Sequence, residues 1–215
     1  MTEEKQGNPG WLAQGSTDSE EVAKYYDDWA EGYDASLMEW GYDAPIRAAE
    51  LLSQRVSLSS RVLDAGCGTG LTGRALHRAG FKRIDGMDIS EHSLRLADRT
   101  GAYDHLFHHD LQQKLPLEDD TYDALQCIGV LTYIAEAAAL LREFCRVVRR
   151  DGILLFSQRD DLYESRDFPA MLAAFEREGI LEVLETTEPQ PYLPHNEDFG
   201  DSTLVIFTVC RVTGA

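Results

Sequence analysis

From residue 61 onward, short apolar runs alternate with amphipathic ones, a rhythm that predicts a parallel sheet with helices on both faces. Residues 61–64 read as a buried strand, followed by a glycine turn and a helix ended by Gly80. Residues 83–88 form a second strand, and Ser90 caps a helix running to about residue 100. A weak third strand covers 105–109, a fourth 122–128 and a fifth 152–157, with an amphipathic helix over 135–148. The end departs from this pattern. Residues 181–187 and 203–212 are strand-like, and their link carries Pro189, Pro191, Pro194 and Gly200 with no helical periodicity. An antiparallel hairpin closing the parallel sheet is therefore expected.

Ahead of the sheet, residues 19–33 read as a helix with Thr17, Asp18 and Ser19 as capping candidates and Glu20 and Glu21 in its first turn. A second helix starts at Pro45 and shows the face Ile46, Ala49, Leu52, Val56. Residues 1–18 are polar and glycine-bearing, and we expect a flexible tail with Trp11-Leu12 as its one apolar spot. The expected organisation is one domain over 19–215, with a helical lid at 19–58 and the α/β core at 61–215. No apolar run reaches the ~18 residues of a membrane helix, and the start lacks a secretory pattern.

Composition narrows the partners. A net charge of −18 argues against a duplex nucleic-acid partner, which needs cations to displace phosphate counterions. Small neutral or cationic molecules, or a basic protein, suit this field better. Cys67, Cys127, Cys145 and Cys210 form no C-x-x-C pair, so neither a disulfide framework nor a metal site is expected. A reducing, cytoplasmic compartment fits, with nuclear presence also compatible, and a monomer is expected.

The chemistry concentrates in Val62-Leu63-Asp64-Ala65-Gly66-Cys67-Gly68-Thr69-Gly70, where a strand enters, glycines turn the chain and a helix leaves. Gly66 and Gly68 let backbone approach a ligand, and the helix start offers N–H donors. Asp64 is placed to hold an ammonium group. Asp88, ending the second strand beside Ile89, is placed to accept from two ribose hydroxyls. Asp110-Leu111, after the third strand, offers an acceptor for an adenine amino group, with Leu111 and Ile89 against the ring. Gly68-x-Gly70-x-x-Gly73 also matches the dinucleotide fingerprint. A nicotinamide enzyme, though, would wrap its glycines around a pyrophosphate and would not face it with Asp64.

These residues resemble the class I S-adenosylmethionine-dependent methyltransferases. The stretch 61–157 carries that likeness, and VLDAGCGTG is among the family's most specific motifs. A closer likeness comes from Tyr25-Tyr26-Asp27-Asp28-Trp29-Ala30-Glu31-Gly32-Tyr33-Asp34 and Gly41-Tyr42-Asp43-Ala44-Pro45, which resemble the methyltransferase-like proteins of the Williams–Beuren chromosomal-region group. The resemblance implies a seven-stranded Rossmann-like sheet in the order 3-2-1-4-5-7-6, the last strand antiparallel. It implies S-adenosyl-L-methionine as cofactor and S-adenosyl-L-homocysteine as product. The implied contacts are Tyr33, Asp64, Ala65, Gly66, Gly68, Gly70, Asp88, Ile89, Asp110, Leu111 and Ile128, with Tyr26 and Trp29 as further lid candidates.

The acceptor is less legible. Direct displacement at a sulfonium carbon needs alignment and dryness, and a base only when the nucleophile arrives protonated. The fourth strand ends without the Asp/Asn-Pro-Pro-aromatic stretch of base-amine methyltransferases, and Cys127 lacks the preceding proline of a pyrimidine-carbon nucleophile. His195, His108 and His109 are candidate bases, and Arg159 would either orient an anion or pair with Asp160 or Asp161. We expect an enzyme acting on a small molecule or a protein side chain. A non-catalytic donor-binding partner and a dinucleotide-dependent oxidoreductase are the alternatives.

Overall fold

The computed structural model describes residues 9–197, 199 and 203–214. Residues 1–8 of the expected tail and Asp198 and Gly200 of the link lie outside this set.

The helices are α1 (Pro9–Gln14), α2 (Ser19–Glu39), α3 (Ala44–Ser53), α4 (Leu71–Ala79), α5 (Glu91–Arg99), α6 (Ala137–Val147), α7 (Asp160–Ser165) and α8 (Phe168–Arg177). The strands are β1 (Arg61–Ala65), β2 (Arg83–Asp88), β3 (His105–His108), β4 (Tyr122–Cys127), β5 (Val148–Arg159), β6 (Leu181–Thr186), β7 (Gln190–Pro191) and β8 (Leu204–Val212). They form one sheet in the order β3-β2-β1-β4-β5-β8-β6, with β7 beside β8. Strands β1 to β5 pair in parallel, and β8 runs antiparallel to both β5 and β6.

The expected order holds, but the sheet has eight strands instead of seven. The extra one is the two-residue β7, pairing Gln190 with Val205 and Pro191 with Leu204. It lies at the sheet's edge, where a proline without an N–H leaves no ladder bond unmade.

Strand alternation sorts the core into two layers. On β1 Val62 faces one side and Leu63 the other, and on β5 Ile153 and Leu155 oppose Leu154 and Phe156. One layer packs beneath α3 and α4 through Ala48, Leu52 and Leu76; the other packs beneath α6 and α8 through Leu140, Phe144, Leu172 and Phe175. The carboxyl ends of β1 to β5 are thereby left for the loops that build the site.

Local chemistry sets most boundaries. The Asp18 side chain accepts from Glu20 and Glu21 N–H to start α2, Ser90 accepts from Ser93 N–H to start α5, and Gly80 ends α4 at φ +110°. Three features lie beyond the expectations. Part of the presumed tail is the helix α1, which sets Trp11 against Tyr25 and Tyr133 and buries Leu12. Helix α2 continues to Glu39 because Leu37 stays in contact with the aromatic core. Helices α7 and α8 fill the crossover from β5 to β6, with Asp167 capping Ala170 N–H and buried Phe168, Leu172 and Phe175 facing inward.

Candidate active site

The glycine loop is held from below. Asp64 is fully buried, and its carboxylate accepts from Thr72 Oγ1 at 2.6 Å, Tyr103 OH at 2.7 Å and Gln126 Nε2 at 3.0 Å. Burial raises its pKa while these donors oppose the rise. Asp64 is therefore placed behind the loop, not on the cavity wall as expected, because three donors from α4, the β2–β3 crossover and β4 draw it inward. Gly73 makes room for this: a Cβ there would lie 2.2 Å from the Tyr103 ring, and its N–H donates to Tyr103 OH at 3.0 Å.

The loop's amides are largely committed to the protein itself. Gly66 and Cys67 N–H both donate to Met87 carbonyl, Gly70 N–H to Cys67 carbonyl, and Gly68 N–H to Asp88 Oδ2 at 2.8 Å. Gly73 N–H, in the first turn of α4, donates to Tyr103 OH. Gly66 sits at φ +77° with Val130 so close that a Cβ would lie 2.2 Å from its Cγ2. Gly68, at φ +52°, meets nothing within 4 Å of a Cβ position and is open to the cavity. Gly70 caps α4 at φ +94° against Ala97 and Thr100; neither it nor Ala65, which is buried in the core, lines the cavity.

Above the loop lies a cavity that opens to solvent. Its walls include Tyr33, Gly66, Gly68, Asp88, Ile89, Asp110, Leu111 and Ile128, so eight of the expected contacts converge on one space. Asp88 Oδ1 accepts from Ser90 N–H at 2.9 Å, and burial pushes the Asp88 pKa up to about 6 against the pull of its N–H donors. Asp110 Oδ1 accepts from Gln112 N–H at 2.9 Å.

Helix α2 closes this space with one polar stripe. Ser19 Oγ donates to Asp110 Oδ2 at 2.8 Å, Ser90 Oγ donates to Asp27 Oδ1 at 2.5 Å, and Thr69 Oγ1 donates to Asp34 Oδ1 at 2.5 Å. Arg74 adds an ion pair with Asp34 at 3.1 Å. Residues 19, 27 and 34 recur at about two helical turns, so one face of α2 reaches the loops after β3, β2 and β1 in succession. Gln112 ties the same end further: its Nε2 donates to Thr17 carbonyl and Ser19 Oγ, and its Oε1 accepts from Ala135 N–H.

The apolar side of α2 joins an aromatic layer. Trp11 stacks on Tyr25 at 3.8 Å, and Trp29 lies 4.8 Å from Tyr33. Tyr26, Tyr33 and Tyr133 reach the cavity wall, whereas Trp29 is buried behind them. Burial raises the pKa of all three phenols, keeping them neutral.

Other candidates fall elsewhere. His195 is exposed, with its N–H on Trp40 carbonyl, and lies outside the cavity walls. His108 bonds to Ile89 carbonyl through Nε2 on the outer side of the loop, and His109 also lies off the wall. Arg159 pairs with Asp161 at 2.6 Å and donates to Leu12 carbonyl at 2.9 Å. Cys127 is fully buried and its thiol pKa is raised by that burial, so it packs as a core residue. Ser19, Gln112 and Tyr133 were not anticipated on the wall. For Ser19 the capping run gave a helix start but no hint of Asp110 as its partner.

Comparison with known proteins agrees with this geometry. Residues 63–156 match the model of a methyltransferase domain. Human methyltransferase-like protein 27 is 35% identical over 179 residues, 80% of this chain and 73% of that protein. A ubiquinone biosynthesis O-methyltransferase of Neisseria meningitidis is 28% identical over 102 residues, 45% of this chain and 43% of its own length. Among solved structures, the [4+2]-cyclase SpnF superposes with a TM-score of 0.71 at 18% identity, covering 94% of this chain and 99% of that one. That likeness concerns the fold, which hosts more than one chemistry. None of these similarities supports a dinucleotide-dependent oxidoreductase. By its sequence and its fold, the chain belongs to the class I S-adenosylmethionine-dependent methyltransferases.

Proposed function

We propose that the chain transfers a methyl group from S-adenosyl-L-methionine to a small molecule or a protein side chain, releasing S-adenosyl-L-homocysteine. The observation that carries this reading is the single stripe of α2 fastened to the loops after β1, β2 and β3 over one cavity. The residues present fit the donor. The cavity is lined by apolar and aromatic side chains with a few convergent polar groups, as small-molecule sites are. Gly68 leaves its floor open.

In this reading Asp88 accepts from the ribose hydroxyls and Asp110 from the adenine amino group, while Ile89 and Leu111 flank the ring. Each carboxylate oxygen that meets one protein donor keeps a second lone pair for the ligand. Tyr33 and Tyr26 close the lid side, excluding water and presenting ring faces to positive charge. The bound donor supplies a methyl carbon on a positively charged sulfur. Asp64 acts through the loop it braces. One domain carries the activity, with residues 19–58 as lid and 61–215 as core.

No helix among the described residues is long and apolar enough to cross a membrane. All four cysteines are free and buried, which supports a reducing, cytoplasmic setting. The name of the Neisseria relative supports a small-molecule acceptor. The test is transfer of label from methyl-labelled donor into fractionated metabolites and proteins. Labelled product in either fraction is expected; none in both, with donor saturating, would leave a donor-binding partner role in place of catalysis.

A further inference from the structure

Three rings, those of Tyr26, Tyr33 and Tyr133, line one cavity together. Tyr26 stands at 70° to Tyr33 with centroids 5.9 Å apart, and at 79° to Tyr133 with centroids 5.7 Å apart. All three line the cavity, so they form a corner of aromatic faces beside Ile128, Gly129 and Val130 at the end of β4. Faces of this kind attract cations and repel anions through the ring quadrupole.

Among the described residues, no lysine, arginine or histidine lines the cavity. The other ionisable groups on its wall, Asp88 and Asp110, sit at the ends of β2 and β3 and already accept hydrogen bonds there. Arg159, whose charge reaches Tyr133, is paired with Asp161 at 2.6 Å. The chain as a whole carries −18.

We propose that the acceptor is a weakly basic nitrogen taken in its uncharged form, an aryl amine or a nitrogen heteroaromatic ring, whose cationic product rests against Tyr26, Tyr33 and Tyr133. This builds on the methyl-transfer reading above. In the step, the nitrogen lone pair forms a bond to the methyl carbon as the methyl–sulfur bond breaks, and that bond's electron pair stays on sulfur as a neutral thioether. Positive charge passes from sulfur to nitrogen, so the corner faces a cation before and after transfer. Any N–H proton leaves the product to water after release.

The alternatives fit less well. A carboxylate or phenolate would leave water for a wall with no cationic side chain, its one cation the donor's own sulfonium, which is lost on transfer. An alcohol or an alkylammonium would have to lose a proton, and the three rings offer only neutral phenols.

The test titrates three probes of matched size, N-methylpyridinium, toluene and benzoate, into full-length protein saturated with S-adenosyl-L-homocysteine. N-methylpyridinium is expected to bind at least about tenfold more tightly than toluene, with benzoate weakest. Tyr26→Phe should keep this order and Tyr26→Leu should erase it. If Tyr26→Leu does not fold, the wild-type order alone decides. Toluene or benzoate binding as tightly as N-methylpyridinium, or no N-methylpyridinium binding to the saturated protein, would overturn the proposal. Failure of S-adenosyl-L-homocysteine to bind would instead remove the donor reading, and this proposal with it.

Discussion

Ser19 and Asp110, 91 residues apart in sequence, meet through a 2.8 Å hydrogen bond that joins the first turn of the lid helix to the rim of the cavity. The same carboxylate is the one expected at the adenine, so lid position and donor contact share a residue. Ser19→Ala removes the tie without a volume problem. Donor affinity should fall about 3- to 10-fold, the worth of one net hydrogen bond, in a calorimetric titration. Unchanged affinity would mean that the lid end is not coupled to the donor site.

Asp88 gives the site a pH dependence. Burial raises its pKa to about 6 in the ligand-free fold. A raised carboxylate pKa favours the protonated folded form, so its contribution to stability is fully present below about pH 4 and lost as pH rises through about 6. Donor binding runs the other way, because the ribose hydroxyls need the ionised acceptor. S-adenosyl-L-homocysteine affinity should be flat above pH 7 and fall up to about tenfold per unit below 6. Asp88→Asn should flatten that slope; a slope surviving in the variant would assign it to another group.

Gly73 and Tyr103 report on the brace beneath the loop. Gly73→Ala puts a methyl 2.2 Å from the Tyr103 ring and displaces the hydroxyl that donates to Asp64. Urea unfolding should show a loss of about 1–3 kcal/mol, as for overpacking elsewhere. A neutral or stabilising result, the usual gain of alanine over glycine in a helix, would mean that Tyr103 swings away freely and Asp64 does not depend on it.

A second buried carboxylate gives a control away from the site. Asp85 is 2% exposed at its side chain and accepts from Arg61 Nη2 at 2.8 Å and Tyr122 OH at 2.9 Å. Arg61→Ala leaves it without its cation and should cost about 3 kcal/mol in urea unfolding. A cost under about 1 kcal/mol would mean that Tyr122 and solvent suffice to hold the charge.

The sheet was legible because its signals are local. Gly80 and Ser90 end and begin helices with their own backbone and side-chain chemistry, and these two signals bracket the strand Arg83–Asp88. Of the eight expected contacts that line the cavity, seven sit at strand ends, which the pattern locates, and the eighth, Tyr33, lies on α2. Asp64 shows the limit. Its inward turn depends on Tyr103 and Gln126, 39 and 62 residues away, which no local pattern identifies. Helix α1 was hidden because six residues among glycines carry too little periodicity; its order comes from the stack of Trp11 on Tyr25. Helix α8 did carry a signal, Asp167-Phe168-Pro169 ahead of Leu172 and Phe175, a cap with proline in the first turn.

The most direct test of the account is calorimetric titration of S-adenosyl-L-methionine and S-adenosyl-L-homocysteine into wild-type protein and Asp88→Ala. Wild type should bind both, and the variant should lose about 1.5–3 kcal/mol, as expected for hydrogen bonds to a charged acceptor. Wild-type protein that binds neither compound would contradict the account at its centre.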